Sequence, residues 1–364
     1  MHDLSTLINL EEFEPAAASV MPKMVFDYYA GGAGDEVSLR GARRAWDDLV
    51  LRYRVLRDVS ERSLAVSILG QYFDFPLLVA PMALQSLAHS DGECATARAA
   101  GATGAGMILS TLSTTTVEEV RAASSGPLWF QLYIYRDRGL ARALVERAER
   151  AGCGALVLTV DSPLLGRRER DVRNTFHVPA ETAVPHLAPD SRATLAGARG
   201  SMAGASALAK FVDEYWDSSI SWKDLAWLRS ISSLPILVKG IVRGDDARLA
   251  LEHGAAGVIV SNHGGRQLDG AIPTARALPD VADAMRGEGA LLVDGGIRRG
   301  TDVLKALALG AQAVLLGRPV LWGLALGGEA GVRRVLELLR DECRLALGLA
   351  GCRTVSELTR DFVA

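Results

Sequence analysis

The chain has 364 residues, 49% of them hydrophobic, with a formal charge of −3 and a pI near 6.1. That size suits a single α/β domain spanning residues 1–364, and the near-neutral charge gives no electrostatic reason to expect nucleic acid or an anionic membrane surface as a partner. The four cysteines, Cys94, Cys153, Cys343 and Cys352, form no CxxC pair and no cluster with histidine, so they read as reduced thiols and no metal is expected. The N-terminus carries Asp3, Glu11, Glu12 and Glu14 rather than the basic start and apolar block of a signal peptide. The longest uncharged stretch, residues 99–117, is roughly half Gly, Ser and Thr and is no membrane span. A soluble, cytoplasmic protein is the expectation.

In chain order, residues 1–75 read as a mostly helical preface ending in a short hairpin. Apolar runs come next at residues 77–80, 106–109, 128–131, 155–158, 235–238, 257–260, 290–293 and 313–316. Continuous rather than alternating hydrophobicity marks strands buried on both faces of a parallel sheet. Helical patterns lie between them, over residues 93–100, 116–123, 139–151, 222–230, 245–253, 275–286 and 301–309. Eight strands alternating with helices predict a (β/α)8 TIM barrel over residues 76–350. The gap between the fourth and fifth strands is long. Residues 179–204 within it are rich in Ala, Gly, Ser and Pro without a period, which predicts an active-site lid loop over residues 175–220.

Barrel enzymes place their chemistry at the carboxyl ends of the strands. The runs here deliver to that rim Pro81-Met82-Ala83, Ser110, Gln131 and Tyr133, Thr159 and Asp161, Lys239, Ser261 to Arg266, Asp294-Gly295-Gly296 and Gly317-Arg318. In Ser261-Asn-His-Gly-Gly-Arg-Gln-Leu-Asp269, His263 can move a proton near neutral pH. Arg266, three residues on, offers a planar fork that matches a carboxylate. Gly264 and Gly265 let backbone pass close to a ligand. A base beside a carboxylate clamp points to chemistry on the carbon next to an acid group. Asp294-Gly-Gly-Ile-Arg298 and Gly317-Arg318 each put backbone N–H groups and an arginine at a helix start, the usual barrel position for a phosphate. Lys239, ending an apolar strand, needs an anionic partner if buried charged. From the residues alone, a Schiff-base lysine stays equally open. His89, His177, His186 and His253 read as structural.

These motifs, with Pro22-Lys-Met-Val-Phe-Asp-Tyr-Tyr-Ala-Gly-Gly32, Phe130-Gln-Leu-Tyr133 and Leu158-Thr-Val-Asp161, resemble the FMN-dependent 2-hydroxy acid oxidases and dehydrogenases. That family includes glycolate oxidase, lactate oxidase and mandelate dehydrogenase, and the resemblance covers nearly the whole chain. It implies FMN as cofactor, contacted by Pro81, Met82, Ala83, Ser110, Gln131, Thr159, Lys239, Ser261, Asp294, Gly295, Gly296, Ile297, Arg298, Gly317 and Arg318. The family's lysine lies near flavin N1. By resemblance His263 is the catalytic base and Asp161 its partner, while Arg168 and Arg266 clamp the substrate carboxylate. Tyr28 also contacts the carboxylate, and Tyr133 lies near the substrate hydroxyl. Arg167 and Arg170 read as a solvated charge run, and Tyr29 and Tyr135 as packing residues. A homotetramer is implied as well.

Leu112 falls where glycolate-type oxidases carry a tryptophan over the substrate side chain. A smaller aliphatic residue enlarges the pocket and argues for a bulkier substrate, as in members acting on mandelate or 4-hydroxymandelate. Met82 and Leu84 add apolar bulk near the flavin, and Leu164 replaces a family arginine. The expected activity is oxidation of an (S)-2-hydroxy acid to the 2-oxo acid, with oxygen or another acceptor taking the electrons. The alternatives are a lactate-like aliphatic substrate and, more remotely, an FMN-dependent isomerase. The isomerase reading leaves Arg168, His263 and Arg266 without a carboxylate to serve.

Overall fold

The computed structural model describes residues 3–187, 194–196 and 206–364. β1 (Val66–Ile68) and β2 (Gln71–Phe73) form an antiparallel hairpin. Eight parallel strands come after it: β3 (Leu77–Val79), β4 (Gly106–Leu109), β5 (Leu128–Leu132), β6 (Leu156–Thr159), β7 (Ile236–Ile241), β8 (Gly257–Val260), β9 (Ala290–Val293) and β10 (Ala313–Leu316). They close into a ring in sequence order, with β10 paired to β3. This is the TIM barrel that the strand count predicted.

The two-faced apolar runs have a direct cause. Leu78, Ile108, Trp129, Val157, Leu237, Ile259, Leu292 and Leu315 fill the barrel interior, while alternate residues such as Val79, Met107 and Phe130 face the helices. The hairpin closes the amino-terminal end of the barrel. Ile68 and Phe73 join the interior cluster, and Phe73 meets Trp129 edge-on with ring centroids 6.2 Å apart. Burying each such side chain is worth about 2–3 kcal/mol. With that end plugged, the carboxyl ends of the strands are left as the open rim among the described residues.

The preface packs beside that open end. Its helix Lys23–Ala30 is held by Asp27, which accepts from Asn174 Nδ2 at 2.8 Å, and its helix Val37–Asp47 by Ser38 N–H donating to Asp269 Oδ1 at 2.9 Å and by the ion pair of Arg43 with Asp302. Residues 188–193 and 197–205 of the expected lid lie outside the described residues. Elsewhere in that segment Phe176, Val178, Val184 and His186 are buried, and residues Ala207–Tyr215 form a helix. After β10 the chain runs through Arg318–Leu349 as two helical stretches broken at Gly327 and Gly328. Among the described residues no helix is long and apolar enough to cross a membrane. All four cysteines are free thiols.

Candidate active site

The strand ends surround a cleft with about 1140 Å³ of space between its walls, part of it open to solvent. β3 supplies Pro81, Met82 and Ala83, β4 supplies Ser110 and Leu112, and β5 supplies Tyr133. Thr159 and Lys239 come from β6 and β7, His263 and Arg266 from the loop after β8, and the residues from Asp294 to Arg298 from the loop after β9. Gly317 and Arg318 lie just past β10, Tyr28 comes from the preface, and Arg168 from the segment after β6.

His263 sits at positive φ (58°), a conformation that costs a non-glycine residue about 1–2 kcal/mol and clusters at functional sites. Its N–H donates to Ser261 Oγ at 3.0 Å, and its Nδ1–H donates to Asp161 Oδ1 at 2.8 Å, leaving Nε2 as the free nitrogen. Burial lowers the pKa of His263 against the opposing pull of Asp161. Burial alone would raise Asp161, but the charges of His263 and Lys239 outweigh it and the carboxylate is held below its usual range. The pair is therefore a neutral imidazole backed by an anion, ready to accept a proton.

Lys239 lies at a β-bulge where β7 shifts register against β8, and Gly240 takes φ +111° there. It is 4% exposed, with Nζ 3.0 Å from Asp294 Oδ2 and donating to Ser261 Oγ at 2.8 Å. Burial works against its charge, but Asp294 and Asp161 prevail and the pKa is raised. A Schiff-base lysine needs a free amine, so this environment selects the charged form instead.

Positive charge dominates the cleft. Among the described residues, Lys239, Arg168, Arg266, Arg298 and Arg318 line it, with Asp294 the one carboxylate. Burial, then the repulsion of Arg168, lowers Arg266 to about 10; burial, then Arg266 and Arg298, lowers Arg318 to about 9. The Arg266 guanidinium stands 5.2 Å over the Tyr28 ring, which also stacks in parallel on Phe176 at 4.2 Å. Arg168 Nη1 is 4.0 Å from the buried Asp171. Burial raises the pKas of Tyr28 and Tyr133, which keeps both phenols protonated as donors.

The residues fit a flavin mononucleotide. Arg298 and Arg318 flank the turn where Gly295 and Gly296 take positive φ, a cradle for a phosphate. A Cβ at Gly296 would strike the Ala42 carbonyl of the preface, so only glycine allows that close approach. Gln131 Nε2, Thr159 Oγ1 and Asp294 Oδ1 are buried polar atoms without a partner among the described residues, spread across three strand ends. A flat heterocycle with donors and acceptors on its edge satisfies such a set.

All the sequence-predicted substrate residues line the cleft: Tyr28, Leu112, Tyr133, Arg168, His263 and Arg266. Of the predicted cofactor residues only Gln131 and Ser261 stand behind its wall; Ser261 acts there through Lys239 and His263. Three expectations need correction. Gly265 is buried against the preface, where a Cβ would come 2.6 Å from Leu39 N, so it serves protein packing rather than a ligand. Leu84 supports the wall through backbone, its carbonyl accepting from Tyr29 O–H at 2.6 Å, and does not line the cleft. Arg170 is no solvated charge; it pairs with Glu36 at 2.7 Å and binds the segment after β6 to the preface. Sequence reading missed Ser162, Leu165, Leu208 and Trp216, which also line the cleft. Trp216 stacks on Tyr133 at 3.9 Å. Its only signal was a tryptophan after a helical apolar pattern, which says nothing about the face it covers.

Comparison with known proteins agrees with this geometry. The family model described as FMN-dependent dehydrogenase matches residues 17–364. An L-lactate oxidase of Nostoc sp. is 51% identical over the whole of both chains. A glycolate oxidase of Spinacia oleracea is 48% identical over 98% of this chain and 96% of its own. Among solved structures, mandelate oxidase with (S)-4-hydroxymandelic acid superposes with a TM-score of 0.93 at 44% identity, covering 98% of each chain.

Proposed function

We propose that this chain, which belongs to the FMN-dependent dehydrogenase family, oxidises an (S)-2-hydroxy acid with a bulky apolar substituent, mandelate-like, to the 2-oxo acid. Oxygen is the proposed electron acceptor, giving hydrogen peroxide. Dependence on FMN and action on a CH–OH group come with the family and its oxidase members; the substituent and the residue roles are our reading.

FMN, when bound, supplies the two-electron acceptor that side chains lack. Arg298, Arg318 and the Asp294–Gly296 turn would hold its phosphate, and Lys239, Gln131, Thr159, Ser110 and the Pro81–Ala83 backbone its ring system. Arg168, Arg266 and the Tyr28 phenol bind the substrate carboxylate, and Tyr133 donates to the hydroxyl. His263 Nε2 accepts the proton released as C2 is oxidised, and Asp161 stabilises the imidazolium that results.

One observation carries the substituent class: the cleft that holds Arg168 and Arg266 is also lined by Leu112, Leu165, Leu208 and Trp216. Such a wall gains from burying a phenyl ring and gains nothing from glycolate, which has no side chain. The identity to an L-lactate oxidase favours a second reading, a small aliphatic acid. Steady-state kcat/KM on (S)-mandelate, (S)-lactate and glycolate separates them. The proposal expects mandelate first and glycolate last; glycolate first would overturn it.

A further inference from the structure

We propose that Ser162 is a positioning residue of this site, its hydroxyl clamped between His263 and Asp161 so that it shares the carboxylate with the imidazole. The inference rests on the reading of His263 as the base. Ser162 Oγ lies 3.0 Å from Asp161 Oδ1 and 3.3 Å from His263 Nδ1, closing a triangle on the 2.8 Å His263–Asp161 bond. The residue is 6% exposed and lines the cleft.

The arrangement has a definite polarity. The Nδ1–H is spent on Asp161 Oδ1, and an ionised carboxylate has no proton to give, so the Ser162 O–H donates to the same oxygen. Asp161 Oδ2 is buried without a partner among the described residues. Gly240 packs against that side chain, where a Cβ would come 2.6 Å from Asp161 Cβ. Among the described residues, the two bonds on Oδ1 are thus the whole hydrogen-bonding hold on this carboxylate. A carboxylate that spends part of its charge on a hydroxyl offers less to the imidazolium. Ser162 therefore tempers Asp161: it fixes the oxygen that orients His263 and keeps the imidazole from gripping its proton too tightly to work near neutrality. Among the described residues, the other charged or titratable groups that act on the pair are Lys239 from the end of β7 and Arg168 from the segment after β6, with Tyr133 after β5 beside Asp161. Substitution at 162 leaves all of them in place.

The test is the pH profile of kcat/KM for holoenzyme carrying Ser162→Ala, Ser162→Gly or Ser162→Thr, with flavin content checked in each. The Ala and Gly variants are expected to move the acid limb upward by ~0.5 pH unit or more, as Asp161 turns its full charge on His263. The Thr variant, which keeps the hydroxyl, is expected to restore the limb. An imidazole NMR titration of His263 should show the same displacement without turnover. If either small variant loses activity while limb and titration stay at the wild-type pH, the hydroxyl only fills space and the proposal is overturned. A His263→Asn enzyme whose kcat stays within about 10-fold of the wild type would instead overturn the reading of the base, and this inference with it.

Discussion

Arg266 and Arg318 donate to the same two carbonyl oxygens. Arg266 Nη1 reaches Tyr29 O at 3.2 Å and Gly31 O at 2.8 Å, while Arg318 reaches Tyr29 O at 3.0 Å through Nε and Gly31 O at 3.2 Å through Nη2. Carbonyls orient two cations but do not neutralise them, which is why burial, with repulsion from Arg168 at Arg266 and from Arg266 at Arg318, draws both pKas down. On the proposed reading, two anions would complete the arrangement: a phosphate at Arg318 and a carboxylate at Arg266.

The two arginines should therefore fail differently. Arg318→Met is expected to weaken FMN binding about 10- to 100-fold, the scale of a hydrogen bond to a charged group. Arg266→Met should leave most FMN affinity and cut kcat/KM by about 100-fold or more. Fluorescence titration of FMN and steady-state kinetics on the same two variants check the division.

His263→Asn should lower kcat by about 10²–10⁴-fold, the usual contribution of a positioned general base. The base works when neutral, so activity falls as pH drops through its pKa. Burial places that point below the ordinary imidazole value of 6.5. Asp161→Asn removes the charge that raises His263, so its acid limb should move lower still while kcat falls, because the imidazolium loses its stabiliser. Paired pH–rate profiles of the wild type and Asp161→Asn test the sign.

The barrel was legible because its strands are buried on both faces, which writes them as uninterrupted apolar runs; β4, β8, β9 and β10 match their runs residue for residue. Lys239 and His263 were legible because polar residues directly behind such runs fall at one rim. The remaining wall was not. Leu208 and Trp216 arrive from a segment between β6 and β7 that no strand period anchors, and their facing depends on tertiary contacts such as the Tyr133–Trp216 stack. Arg170 looked like surface charge because Glu36, its partner, is remote in sequence.

His186 ties that same segment to the loop after β4. Its Nε2 accepts from Val117 N–H at 3.1 Å and its Nδ1 lies 3.1 Å from Ser113 Oγ. Burial, reinforced by Arg147, lowers its pKa from 6.5 to about 4. A histidine depressed on folding contributes stability that is fully present above 6.5 and is lost as pH falls toward 4. The loss should approach about 3 kcal/mol. Denaturant unfolding of wild type and His186→Gln between pH 7 and 4 checks it: the wild-type stability should fall more steeply across that window.

Leu112→Trp puts an indole over the substrate side of the cleft. Overpacking of this kind costs about 1–3 kcal/mol. The ratio of kcat/KM for (S)-mandelate over glycolate should accordingly fall by about 10-fold or more. An unchanged ratio would mean that Leu112 does not set the substituent class.

The decisive experiment is the visible spectrum of the purified enzyme without oxygen, before and after addition of (S)-mandelate, with (S)-lactate and glycolate in parallel. Flavin absorption should bleach with mandelate, and bleach about 10²–10⁴-fold more slowly in a His263→Asn enzyme holding the same flavin. Flavin bands that persist with all three acids would refute the proposed oxidation.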